Sequence, residues 1–168
     1  MIFNQNKIPD LYKKLFLTII NKDTDKLKIL VKNTNLNLNY HYKILSHRIR
    51  NYTPLMLAIQ NQSIDMVNIL LNESVERLNR NIADLDGNSA IIWAILLTYD
   101  DENEKNHNKY EILRCLLNDF YVDKGFIKKI NKSDPMTCAL WIENMTTIEI
   151  LLDYSVPVYW DHLDSYRR

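Results

Sequence analysis

One pattern of capping, small and apolar residues occurs three times along the 168-residue chain, and it constrains the fold more than any other feature. Each copy begins with a residue that can cap a helix, has an alanine five residues later and ends on a pair of leucines. Ser, Thr and Asp at such positions offer a side-chain oxygen to the free amides of the first helical turn. The pattern therefore predicts two helices per copy, with caps at Thr53, Ser89 and Asp134 and alanines at Ala58, Ala94 and Ala139.

The spacing within the copies predicts one insertion. From the alanine to the second leucine of the pair there are 13 residues in the first and third copies and 23 in the middle one. The additional residues fall in TYDDENEKNHNK (98–109), a polar run typical of an exposed loop between helices. Long loops in compact repeats are often functional, but a neutral insertion is equally compatible with the sequence.

A weaker fourth copy lies upstream. The segment DKLKILVKN (25–33) parallels DMVNILLNE (65–73), and LYKKLFLTIINK before it supplies the preceding helix. This copy lacks the Thr-Pro start, and part of its helical surface is polar. Such polarity is expected of a terminal repeat that covers the end of a stack.

The copies resemble the ankyrin repeat. The family signature Thr-Pro-Leu-His-x-Ala is matched by Thr53–Ala58, with Met56 where His is usual, and more loosely by residues 89–94 and 134–139. Residues 84–89 resemble the turn that precedes the first helix, and the resemblance covers roughly residues 10–158. The sequence departs from the family at its usual turn glycines, which are replaced by Gln62, Glu143, Ser74 and Ser155. We expect those turns to be strained and the repeat geometry to be irregular.

The resemblance implies an all-α ankyrin-repeat solenoid of about four helix-turn-helix repeats with irregular terminal caps, joined by short turns rather than true strands. We expect one domain over residues 1–168, with repeats at about 8–45, 49–82, 84–125 and 128–158 and a tail at 159–168. Each alanine allows close approach of neighbouring inner helices, and stacking buries apolar faces that no repeat can bury alone. In the tail, Tyr159, Leu163 and Tyr166 fit one face of a short helix that could cover the open end of the stack.

Composition and charge exclude several classes of function. Lys plus Arg and Asp plus Glu number 21 each, and this zero net charge argues against a nucleic-acid binder. Charged residues interrupt the N-terminal apolar residues, so we expect neither a secretory signal nor a membrane span. We therefore expect a cytoplasmic protein that binds no nucleic acid and no membrane.

The sequence contains no recognisable catalytic motif. It has two glycines in all, no glycine-rich phosphate loop and no GxSxG. The four histidines are scattered, and His41 and His47 are better explained by a solvated linker than by a metal site. We interpret Cys115 and Cys138 as buried thiols rather than as a disulfide or a nucleophile. The chain is thus expected to be no enzyme and to hold no metal and no cofactor.

Ankyrin-like stacks usually bind partners through a concave face formed by turn tips and inner helices. Trp93, directly before Ala94, is expected to fill the core. For Trp141 the sequence leaves two interpretations open, packing within the protein and contact with a partner. Carried over copy by copy, the resemblance implies a partner-binding set of Arg50, Tyr52, Gln60, Asn61, Asp86, Asn88, Asn131, Ser133 and Trp141, with Ile49, Leu85, Ile130 and Ile142 beside them.

These observations favour a non-catalytic, monomeric module that binds a protein partner of unknown identity. Heavy use of Asn, Ile, Lys and Tyr indicates an AT-rich genome, which together with the family resemblance raises a host-directed microbial or viral role. The alternatives are a regulatory or fragment domain of a larger enzyme complex and a structural, self-associating domain.

Overall fold

Helix pairs separated by tight turns make up most of the protein. The structure is a computed structural model, and it describes residues 2–3, 9–45, 49–74, 76–99, 107–125 and 134–159. These residues include eight α-helices and three short strands. The helices are α1 (Asp10–Ile20), α2 (Thr24–Val31), α3 (Pro54–Gln60), α4 (Ile64–Glu73), α5 (Ala90–Leu97), α6 (His107–Asn118), α7 (Pro135–Trp141) and α8 (Met145–Asp153). The strands are β1 (Ile2–Phe3), β2 (Tyr42–Leu45) and β3 (Ile49–Tyr52).

The helices form two rows. In the inner row α1 packs on α3, α3 on α5 and α5 on α7, and in the outer row α2 packs on α4 and α4 on α6. One continuous cluster of buried apolar side chains extends through all four helix pairs. This arrangement confirms the predicted ankyrin-type solenoid, in which each helix pair covers the apolar face of the pair before it.

The inner helices begin largely as predicted. The Thr53 hydroxyl accepts a hydrogen bond from the Met56 amide at 3.2 Å, and the Asp134 carboxylate accepts one from the Thr137 amide at 3.0 Å. Ser89 stands at the cap position of α5, but its side chain makes no capping hydrogen bond. The prediction is thus confirmed for two caps and wrong for the third.

The alanines allow close packing of the inner row. Ala58, Ala94 and Ala139 are fully buried, as expected for positions where one inner helix meets its neighbours. Trp93 is also buried, which confirms its predicted place in the core. Its indole Nε1–H donates to the Asp84 carboxylate at 2.9 Å.

Most of the turns that lack glycine adopt the left-handed backbone conformation. Gln62 and Glu143 have φ angles of 52° and 57°, and Ser155 has a φ of 54°. The expected strain is therefore present at these three positions. Ser74 is different, because its φ of −130° lies in an ordinary region and needs no glycine.

The linker between the first two repeats is not a plain turn. Strands β2 and β3 pair antiparallel from Tyr42↔Tyr52 to Leu45↔Ile49, and β1 pairs with the other edge of β2. The expectation of turns without true strands is wrong here. The interpretation of His41 and His47 as part of a solvated linker stays a prediction, because His47 lies outside the described residues. The missed signal is the apolar alternation at Tyr42 and Ile44, which strands favour.

Asparagines tie successive repeats together after the outer helices α2 and α4. The Asn39 side chain donates to the Arg77 carbonyl at 2.9 Å and accepts from the Asn79 amide at 2.7 Å. One repeat later, Asn81 donates to the Tyr121 carbonyl at 2.9 Å and accepts from the Asp123 amide at 2.8 Å. These paired bonds hold neighbouring repeats in one register.

A buried ion pair supplements the asparagine bonds between the second and third repeats. Arg80 Nε donates to Asp119 Oδ2 at 3.1 Å, and the Arg80 side chain is almost fully buried. Its other nitrogens donate to the Leu78 and Leu71 carbonyls at 2.6 and 3.0 Å. Arg80 thus fixes the end of α4 to the turn that follows α6.

Candidate partner-binding surface

Three of the predicted partner-binding residues lie where the structure describes no side chain. Arg50 belongs to β3, of which only the backbone is described at this position, and Ile49 is in the same situation. Asn131 and Ser133, with Ile130, lie outside the described residues. Their proposed contacts with a partner stay predictions.

Tyr52 and Asn88 face the interior. Tyr52 is buried, and its ring packs on that of Trp93 with 5.4 Å between the ring centroids. Asn88 is buried at the end of a turn, where its backbone amide and side-chain amide donate to the Asp84 carboxylate at 2.8 and 3.1 Å. Burial leaves both side chains little area for a partner in this structure, and their contact with a partner stays a prediction.

Asn61 and Gln60 stand at the end of α3. The Asn61 side-chain Nδ2–H donates to the Ile19 carbonyl at 3.1 Å, which joins the second repeat to the first. Both side chains are half-buried, so each presents only part of its surface to solvent. Asn61 acts first as a link between repeats.

The turn before α5 projects Leu85 and Asp86 into solvent. Both side chains are exposed, and Gly87 reverses the chain with a φ of 81°. The Gly87 amide donates to the Asp84 carbonyl at 3.0 Å, so the tip has a defined shape. Of the predicted set, Asp86 is therefore an accessible member at a turn tip.

The predicted Trp141 lies in an exposed aromatic pair with Tyr99. Trp141 is 63% exposed at the end of α7, and Tyr99 is 60% exposed just after α5. Their rings are nearly parallel, with 6.1 Å between centroids and 20° between planes. Ile142, the neighbour of Trp141, is buried. The pair spans two repeats and offers a rigid apolar surface to solvent.

A hydrogen-bond network fixes the backbone beside this pair. Asn144, the cap of α8, donates to the Thr98 carbonyl at 3.1 Å and to the Tyr110 hydroxyl at 3.2 Å. The Thr147 hydroxyl donates to the Thr98 hydroxyl at 2.8 Å inside the protein. Tyr99 follows Thr98 directly, so these bonds anchor one half of the aromatic pair. Sequence reasoning missed Tyr99 because it lies at the start of the predicted insertion.

The described residues carry no arrangement typical of a catalytic or metal site. Burial, followed by the nearby Asp119 and Glu111 carboxylates, raises the pKa of the Cys115 thiol. That thiol donates to Asn68 Oδ1 at 2.8 Å, and a protonated, hydrogen-bonded thiol is a poor nucleophile. Cys115 and Cys138 are not joined in a disulfide in this structure. Within the described ranges, no three His, Cys, Asp or Glu side chains are grouped as metal ligands would be.

No helix in the described part of the chain combines the length and apolar character that a bilayer crossing requires. Comparison with protein families gives a match to a repeat family. A family model described as ankyrin repeats, three copies, matches residues 15–102. No curated protein matches the chain. The matched range extends from within α1 to just beyond Tyr99.

Proposed function

Because this chain belongs to the ankyrin-repeat family, we propose that it is a non-catalytic interaction module that binds a protein partner through the concave face of its stack. Ankyrin repeats are in general protein–protein interaction modules, and the surface residues described above are compatible with that role. A cytoplasmic location and a host-directed use belong to the same proposal, and they are supported only by composition and the family resemblance.

The exposed Tyr99–Trp141 pair is the observation that carries the proposal. Aromatic side chains bury a large apolar area with few rotatable bonds, and they are enriched among residues that dominate binding energies. Two stacked rings at the ends of adjacent inner helices α5 and α7 form such an anchor. The half-buried Leu96 and Leu97, just before Tyr99 in the chain, extend the apolar character along α5.

The experiment first identifies a partner by affinity capture from native or host cells and then measures its affinity for purified variants. Trp141→Ala should weaken binding by more than about 1 kcal/mol because it removes an anchoring ring. Tyr99→Ala should weaken binding in the same direction. Calorimetric titration of the purified partner gives both numbers.

Phe120→Ala is the matched control. Phe120 is also an exposed aromatic residue, but it lies in the turn after the outer helix α6 and outside the proposed surface. Its replacement should leave the affinity unchanged. An equal loss from Trp141→Ala and Phe120→Ala would show that the partner does not use the inner-helix surface.

A further inference from the structure

Comparison of equivalent positions shows which side chains face the next repeat. Leu140 corresponds to Ile19, Ile59 and Ile95, and Leu152 corresponds to Val31, Leu71 and Leu117. All six counterparts are buried in the first three repeats. Ile19 and Val31 are covered even though they belong to the first repeat, so these positions face the repeat that follows.

The fourth repeat leaves the same positions in solvent. Leu140 is 38% exposed and Leu152 is 56% exposed. Ile148 is half-buried, whereas its counterparts Leu27, Val67 and Leu113 are fully buried. The apolar surface that receives the next helix pair three times within the stack is therefore present a fourth time, without that pair among the described residues. The tail beyond residue 159, which the sequence predicts to cover this end, lies outside the described residues.

Three apolar residues, two of them exposed and one half-buried, form a stripe along α8. Met145, Ile148 and Leu152 are spaced i, i+3 and i+7, which places them on one face of the helix. In the preceding repeats, outer helices α4 and α6 lie on the equivalent faces of α2 and α4. The stripe thus has the form of a surface that packs against a helix.

The segment that carries the stripe is acidic, and a described cation beside it is Lys124, whose Nζ lies 5.7 Å from the centre of the Tyr154 ring. Residues 134–159 contain Asp134, Glu143, Glu149 and Asp153 but no Lys, Arg or His. Asp134 is buried as a helix cap, whereas the other three carboxylates are exposed. Because successive helical residues are 100° apart, Glu149 and Asp153 lie along one flank of the stripe. A complementary surface is apolar in its centre and basic at its edge.

We propose that this end of the stack, formed by Leu140 and the Met145–Ile148–Leu152 stripe, docks an amphipathic helix of a partner protein that carries Lys or Arg beside its apolar face. The helix would occupy the place that the next repeat's outer helix takes within the stack. Like charges disfavour pairing of this acidic face with its own copy. The surface is additional to the Tyr99–Trp141 pair, and the proposal does not depend on that pair.

The test uses a fluorescently labelled synthetic helical peptide of about 20 residues, long enough to be helical alone, with leucines at i, i+3 and i+7 and flanking lysines. Anisotropy titration with the full chain should show saturable binding that weakens with added salt. Leu152→Ala should weaken the binding about tenfold, as expected for loss of a central apolar contact. Glu149→Gln should weaken it less and should also reduce its salt dependence.

Ile29→Ala is the control variant, because Ile29 is also an exposed apolar residue, on the outer helix of the first repeat and amid lysines. It should bind the peptide like the unaltered chain, and so should Trp141→Ala, which separates this proposal from the proposed function. Three results would overturn the proposal: absence of binding, equal binding of a peptide with glutamates in place of lysines, or equal loss in Ile29→Ala. Sedimentation that shows self-association sensitive to Leu152→Ala would assign the face to a second copy and overturn it as well.

Discussion

Gln62 and Glu143 occupy turns whose positive φ angles cost a non-glycine residue about 1–2 kcal/mol. Glycine removes that cost but loses about 0.5–1 kcal/mol through its greater freedom in the unfolded chain. We therefore expect Gln62→Gly and Glu143→Gly each to raise the free energy of unfolding by about 0.5–1 kcal/mol. Urea denaturation provides the measurement.

Gln60→Gly is the control for Gln62→Gly, because it replaces the same residue type two positions earlier in the chain. Gln60 is the last residue of α3, where glycine should lower the free energy of unfolding by about 0.5–1 kcal/mol. If Gln62→Gly also destabilised the protein, the left-handed conformation at this turn would be wrong.

Titration of Cys115 should lower the free energy of unfolding as the pH rises into the alkaline range. Its pKa is raised in the folded protein by burial and by nearby carboxylates, so the unfolded chain loses this proton first. The stabilisation is complete below the ordinary thiol pKa of about 8.5 and is lost as pH rises through the higher folded pKa. Cys115→Ser removes this titration, so its free energy of unfolding should fall less than that of the unaltered chain between about pH 8 and pH 10. Parallel denaturation curves at the two pH values would show equal falls if the thiol were not involved.

At the level of elements, the Arg80–Asp119 pair links the end of α4 to the turn after α6. Arg80→Leu would leave Asp119 and two carbonyls without this donor, and we expect it to lower the free energy of unfolding by about 3 kcal/mol. Arg114→Leu is the matched control, because the Arg114–Glu111 pair at 2.9 Å is exposed and contributes about 0–1 kcal/mol. Similar losses in both variants, measured by thermal or urea denaturation, would contradict a special role for the buried pair.

The helices could be predicted from sequence because capping residues, alanines and leucine pairs act over short range. The pairing of β2 with β3 was missed because the residues between the two strands, 46–48, include no Gly, Pro or Asn that would mark a hairpin in the sequence. The asparagine links were missed for another reason. Asn39 and Asn81 each stand in an Asn-x-Asn triplet, but only the stacked structure shows that they bond to the following repeat.

In the candidate partner-binding surface, too, short-range features could be predicted from the sequence and long-range contacts could not. Trp141 could be placed on the open side from its distance to Ala139, whereas the burial of Tyr52 and Asn88 could not be predicted because it depends on the neighbouring repeat. The packing of Tyr52 on Trp93, a residue far along the chain, is such a long-range contact. The pairing of Tyr99 with Trp141 could not be predicted from the sequence, because it depends on the packing of α5 against α7.

At the scale of the whole molecule, the protein is a row of repeats in which each helix pair is stabilised mainly by its neighbours. Interior pairs have a neighbour on both sides, whereas the fourth pair leaves Leu140 and Leu152 exposed. Local opening should therefore require more free energy in the middle of the stack than at its fourth repeat. This gradient makes the fourth repeat the region where a partner can add the most contacts.

Native-state amide hydrogen exchange, resolved by residue, tests this stack most directly. We expect the slowest exchange in α3 and α5, which are inner helices with neighbours on both sides, and faster exchange in α8. A protein in which α8 exchanges as slowly as α3, or in which all helices exchange at one common rate, would contradict a linear stack with an open fourth repeat.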